Sequence, residues 1–149
     1  MKVSEIMNTQ VHTILPDTRM KMVNRIMQKY NLSYLFVVNE KKEIQGVITY
    51  TDLFRLVLPS YQKVMEEGLL WLSPEVIESQ AQNLMDKPVK EFMEKDVLTI
   101  HPNEMVFKAG AEMIAHSIKQ IPVVENNKLV GVISFHEILW ELLMINRLY

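Results

Sequence analysis

The sequence predicts an α/β (α+β) fold in which one βαββα unit is written twice, and three observations predict it. Residues 46 to 52 read GVITYTD and residues 131 to 137 read GVISFHE, each closing a β-branched run and opening a helix-like one. A shift of 86 pairs Val3, Glu5, Met7, Val11, Thr13, Ile14 and Pro16 with Val89, Glu91, Met93, Val97, Thr99, Ile100 and Pro102. The match runs on through Met27 with Met113 and Val37 with Val123, and then drops to a shift of 85 at Gly46 and Gly131. Self-similarity at a fixed period marks a duplicated architecture, and the lost residue falls between EKKE and NNK, where a surface turn tolerates it.

Taken in order, each copy begins with a short apolar stretch, VHTIL or VLTIH, that stops at Pro16 or Pro102. The following turn opens a helix, with Asp17 or Thr18, and Asn103, as its expected caps. Met20, Val23, Met27 and Tyr30 recur at spacings of three and four, as do Val106, Ala109 and Met113, so each helix has one core-facing side. LFVVN with IQGVIT, and IPVVE with LVGVIS, read as β-hairpins, and Asn126 and Asn127 suit left-handed turn geometry. A second helix begins near Asp52 or Glu137. The expected organisation is repeat 1 over residues 1–58, a helical connecting insertion over 59–87, and repeat 2 over 88–149. Half-domains of this size bury too little apolar surface alone, so the two are expected to pack sheet to sheet with a cleft between them.

In the insertion, Ser73 caps a helix, Pro74 takes its first turn, and Val76, Ile77, Ala81 and Leu84 give it an apolar side. Gly68 is expected to end an earlier helical piece, and GLLWLS is apolar enough to require burial. The terminal run ILWELLMINRLY is apolar nearly all round, which a monomer's surface helix would not be, so a homodimer is expected.

Composition excludes several functions. Sixteen Lys and Arg against 18 Asp and Glu give a net charge of -2, and no run of five basic residues exists, so nucleic acid is not an expected partner. The absence of cysteine removes disulfides, thiol catalysis and Cys-based zinc sites. No signal-like or membrane-spanning apolar segment is present, and the expectation is a soluble, cytoplasmic chain. His12, His101, His116 and His136 show no HExxH pattern or close ligand spacing, and no Walker-type loop appears. No enzyme activity, metal site or obligatory cofactor is therefore expected.

The chemistry concentrates where the repeated seven letters turn from strand to helix. Thr49 with Asp52, and Ser134 with Glu137, have capping-box spacing, which needs no ligand. The same helix tip, with its free N–H groups and dipole, is also where a phosphate binds. Gly46 and Gly131 either permit a bulge or leave room beside the strand.

The segments VSEIMNTQVHTILPD, VITYTD and IPVVENNKLVGVIS, in this duplicated order, resemble a tandem pair of cystathionine beta-synthase-type (CBS) domains over residues 1–58 and 88–149. The resemblance implies a regulatory module that binds an adenosine-containing ligand (AMP, ADP, ATP or S-adenosylmethionine) in the cleft between repeats, forms a disc-shaped homodimer and signals to a client protein. The alternative is a dimerisation or interaction module of the same fold that has lost its ligand. In the family the Ser or Thr touches phosphate and the acidic residue three positions on holds both ribose hydroxyls. This assigns Thr49, Thr51 and Asp52 to the first site and Ser134, His136 and Glu137 to the second. Glu137 departs from the family's Asp and must fold back to reach the same sugar. The purine slot falls on Thr13, Leu35 and Phe36, and on Thr99, Ile121 and Pro122. Leu35 and Ile121 are read equally as core. Tyr34 and Gln120 stand where a basic phosphate contact is common, which favours one phosphate or none over three.

Overall fold

The helical spacing of Met20, Val23 and Met27 buries all three along α2 (Met20–Tyr30) in the computed structural model, which describes residues 1–58, 65–66 and 73–145. Before it come α1 (Val3–Ile6) and β1 (Thr13–Ile14); after it come β2 (Tyr34–Val38), β3 (Ile44–Thr49) and α3 (Tyr50–Val57). The chain continues through α4 (Pro74–Met85) and a 3-10 turn (Val89–Glu91) to α5 (Val106–His116), β4 (Gln120–Glu125), β5 (Lys128–Ser134) and α6 (Phe135–Ile145). The order strand, helix, strand, strand, helix thus occurs twice. In the second copy the first strand shrinks to one parallel bridge, Ile100 to Val123, the counterpart of Ile14 beside Val37 in β1 and β2.

One sheet runs β1-β2-β3, with β1 parallel to β2, and the other is the antiparallel pair β4-β5. Asn126 and Asn127 turn the second hairpin with φ of 52° and 64°, as their residue type predicts, and Lys42 takes φ 65° in the first. The register of β4 on β5 slips between Val123 and Val124, so Val130 is skipped next to Gly131. This is the bulge that a strand glycine permits.

The compact units do not follow the repeat boundaries. One comprises residues 13–39 and 45–95, the other 1–12, 40–44 and 96–149. Each N-terminal arm has been exchanged: Val47 pairs with Glu94 and Asn8 with Val132, each through two backbone hydrogen bonds of 2.8–2.9 Å. The first unit's core holds Ile14, Met20, Val23, Met27, Leu35, Val37 and Ile48 from repeat 1, together with Leu84 of α4 and Val89 of the incoming arm. The second unit's core holds Ile100, Val106, Ala109, Met113, Ile121, Val123, Ile133 and Ile138, together with Val3 of the opposite arm.

The exchange corrects the expected helix caps. The residues before α2 and α5 are Arg19 and Met105, and neither they nor Asp17, Thr18 or Asn103 cap through a side chain. The exchanged arm does the capping with its main chain: Met20 N–H donates to the Lys87 carbonyl at 2.9 Å, and Val106 N–H to the Met1 carbonyl at 3.1 Å. Tyr30, read as part of the buried face of α2, lies 46% exposed with the Lys29 ammonium over its ring. It sits in the last turn, where α2 ends at left-handed Asn31.

Gly46 and Gly131 lie under the exchanged arms. A Cβ on Gly46 would come within 2.7 Å of Met93 Sδ and 2.8 Å of the Glu94 carbonyl; on Gly131 it would meet Met7 Sδ at 2.8 Å and the Asn8 carbonyl at 3.1 Å. Close approach of a crossing backbone is therefore what these positions require.

In the insertion, Ser73 Oγ accepts the Val76 N–H at 3.4 Å and Pro74 opens α4, as expected, and Leu84 reaches the core. The expectations for Gly68, for all of GLLWLS but Ser73, and for residues 146–149 lie outside the described residues. No helix among the described residues is long and apolar enough to cross a membrane.

Candidate functional site: the two helix tips

β3 runs directly into α3, and β5 into α6, so each repeated motif becomes a strand end and a helix tip with no loop between. At the first tip Thr49 is the N-cap. Its Oγ1 accepts the Asp52 N–H at 3.3 Å, while Asp52 Oδ2 accepts from the Thr49 N–H at 2.9 Å and from Thr49 Oγ1 at 3.0 Å. The predicted capping box is complete and places a half-buried carboxylate and hydroxyl side by side. Asp52 Oδ1 makes no bond among the described residues and stays available to a further donor.

At the second tip Glu137 folds back as its extra methylene demands. Its Oε2 accepts from the Ser134 N–H at 2.8 Å and from the Ser134 hydroxyl, and the His136 N–H donates to Ser134 Oγ at 3.2 Å. The two tips therefore build one local geometry from Asp in one case and Glu in the other.

The remaining expected site residues divide by burial. Thr51 and His136 are exposed beside their tips, and Thr13 and Thr99 are exposed on the first strand segments. Leu35 and Ile121, for which core and ligand roles were balanced, have fully buried side chains within their units' cores, so only their backbones remain to face a ligand. Phe36 is buried on the opposite face of β2 from Leu35, its ring 5.2 Å from that of Tyr34. Pro122 is buried in β4.

What sequence comparison of the seven letters misses is the flank of each tip. One turn into α6, His136, Glu137, Trp140 and Glu141 form a stripe which, with Ile6 and Asn8 of the exchanged arm, lines a groove of about 380 Å³. Trp140 and Glu141 replace Arg55 and Leu56 of the first copy, a difference visible in the aligned letters once the stripe is known to matter. No group of three or more His, Cys, Asp or Glu among the described residues is placed to hold a metal ion.

Two βαββα units, each with a strand-to-helix tip bearing a hydroxyl and a carboxylate, define a tandem-repeat protein. The chain belongs to the CBS domain family: that family's sequence model, described as CBS domain, matches residues 3–59 and 89–143. Among curated relatives, an uncharacterized 17.7 kDa protein of Acidianus ambivalens is 23% identical over 99% of this chain and 76% of its own length. Homoserine O-acetyltransferase of Methanococcoides burtonii is 28% identical over 91% of this chain, but the match spans only 23% of that enzyme. Among solved structures, CBSX2 in complex with AMP aligns with a TM-score of 0.76 at 18% identity, covering 97% of this chain and 98% of that one. The CBS domain pair of protein MJ0100, in complex with 5'-methylthioadenosine and S-adenosyl-L-methionine, aligns with a TM-score of 0.69 at 22% identity and covers 95% of each chain. The fold is that of these domain pairs.

Proposed function

We propose that this chain is a cytoplasmic regulatory module that binds an adenosine-containing ligand at its helix tips and reports occupancy to a partner protein, itself performing no catalysis. One observation carries the reading: the Thr49–Asp52 tip sets a hydroxyl and a carboxylate with a free oxygen at a helix N-terminus, the chemistry a phosphate and a ribose diol ask for. The adenosine compounds bound by similar folds support the choice of ligand class, AMP in CBSX2 and S-adenosyl-L-methionine in MJ0100. In this reading Thr49 and Thr51 face phosphate, Asp52 Oδ1 accepts from the ribose, and the backbones of Leu35 and Ile121 border the purine with Thr13, Phe36, Thr99 and Pro122. Ser134, His136 and Glu137 form the second tip.

Calorimetry with AMP, ADP, ATP and S-adenosylmethionine on the wild type and Asp52→Ala tests this. A hydrogen bond to a charged group contributes about 1.5 to 3 kcal/mol, so the variant is expected to bind about 10- to 150-fold more weakly. Unchanged affinity removes Asp52 from the site. Binding of no ligand by the wild type favours a second reading, a ligand-free interaction module, which has its own support: both acidic residues are already engaged by the N-cap residues of their helices.

The outer side of α6 carries exposed Leu139, Leu142 and Leu143, the last 63% accessible. In the proposed function these residues are covered in a homodimer. Sedimentation is expected to show the dimer at tens of micromolar, and a monomer there would remove it.

A further inference from the structure

The groove beside the second tip is electrostatically unlike a phosphate site. Its walls are Ile6 and the indole of Trp140, its polar lining is Asn8, His136, Glu137 and Glu141, and no Lys or Arg among the described residues lines it. Glu137 takes the Ser134 N–H and hydroxyl with one oxygen, as Asp52 does at the first tip, so the cap does not separate the two tips and the flank does. Asn8 is fixed by its backbone bonds to Val132, and its side-chain oxygen accepts the Gln10 N–H at 2.9 Å, which leaves its amide N–H₂ as a neutral donor on a residue that lines the groove. Glu141 has no ion-pair partner among the described residues, and 57% of Trp140 is accessible. Among the described residues of the lining, the one group that can carry positive charge is His136, at the exposed rim.

We propose that this groove binds an organic cation, a sulfonium or quaternary ammonium centre held against Trp140 and between the carboxylates of Glu137 and Glu141, and that it disfavours phosphate. An aromatic face with nearby carboxylates recognises such a centre because the ring quadrupole and the charges act together on a weakly hydrated ion. The volume, about 380 Å³, lies within the usual range of about 300–1,000 Å³ for small-molecule sites. Two sources fit this chemistry, a nucleoside carrying a sulfonium and a free ammonium compound. The first source rests on the function proposed above and narrows it, placing the charged nucleoside at the second tip. At the first tip Arg55 and Leu56 stand in place of Trp140 and Glu141, with Asp52 and the Glu94 arm residue as the acidic groups, so the same preference is not expected there.

The experiment uses the full chain, with Glu141→Gln and Trp140→Leu as variants at accessible positions. Calorimetry compares S-adenosylmethionine with its neutral thioether S-adenosylhomocysteine, and NMR follows the Trp140 indole N–H during titration with choline. The wild type is expected to prefer the sulfonium by about 10-fold, and each variant to lower that ratio by about 3- to 10-fold while the thioether binds as before. Equal wild-type affinity for the two nucleosides, or variants that weaken both equally, overturns the proposal. If neither nucleoside binds, the adenosine reading fails on its own. The cation site then stands if choline shifts the indole signal saturably in the wild type and not in Glu141→Gln, and falls if choline leaves the signal unmoved.

Discussion

The two helix tips share their geometry and differ in everything that surrounds it. Thr49 with Asp52 and Ser134 with Glu137 make the same pair of bonds from backbone N–H and hydroxyl to a carboxylate. One turn further on, Arg55 and Leu56 in α3 correspond to Trp140 and Glu141 in α6. Capping is a requirement of the chain's own folding and survives in both copies. The flank answers to whatever approaches from outside, and there duplication has left two chemically distinct surfaces. A repeat can thus keep its scaffold while the side chains flanking its two tips diverge in charge and size.

The scaffold's own asymmetry offers the largest test of that comparison. An added methyl at Gly46 collides with the Glu94 carbonyl at 2.8 Å, whereas at Gly131 the Asn8 carbonyl stands at 3.1 Å and the nearer atom is the end of the flexible Met7 side chain. Overpacking against a fixed backbone typically costs about 1 to 3 kcal/mol. Gly46→Ala is expected to lose about 2 to 3 kcal/mol in urea unfolding and Gly131→Ala about 1 to 2 kcal/mol. Equal losses would mean that the two arms yield alike.

A smaller effect separates the copies through their ion pairs. Lys90 of the first unit's arm donates to Asp17 at 2.7 Å, while the corresponding residues of the second unit are Ser4 and Asn103. The second copy instead pairs Glu104 with Lys108, where the first has Thr18 and Met22. The hydrogen bond to Asp17, then its charge, raises the Lys90 pKa above 10.5; the stabilisation is complete below that value and is lost as pH rises through the raised one. The hydrogen bond from Lys108 holds Glu104 below 4.5, so its share is present above 4.5 and is lost as pH falls through the lowered value. Asp17→Asn is therefore expected to flatten the alkaline limb of a melting-temperature profile. Glu104→Gln is expected to flatten the acid limb, together with the alkaline share of Lys108, whose pKa the Glu104 bond raises. Both changes should be slight and should vanish in 1 M salt, because exposed pairs are screened at a Debye length of about 3 Å.

Local chemistry explains how much of this was legible in the sequence. The hairpins, the Ser73–Pro74 helix start, the Asn126–Asn127 turn, the Thr49–Asp52 capping box and the Glu137 half of the second box depend on residues a few positions apart and are read correctly from their letters, while the Ser134 hydroxyl takes the His136 N–H instead of that of Glu137. The caps of α2 and α5 are not, since the acceptors are the Lys87 and Met1 carbonyls, far off in sequence and identical in any residue type. Gly46 and Gly131 could be narrowed to a bulge or a close approach, and only the crossing arms decide in favour of the latter, with a bulge beside Gly131 as well. The balanced reading of Leu35 and Ile121 turned on which face of a strand is covered, a tertiary fact.

The exchanged arms also impose an order on biosynthesis. Every residue that the first unit's core requires has been synthesised once residue 95 is made, so that core can close while the rest of the second unit is still being added. Val3, synthesised first of all the core residues, shares its cluster with buried residues that all come about a hundred positions later, and must wait in solvent until they emerge. The start of the chain is thus the last piece of its core to find shelter.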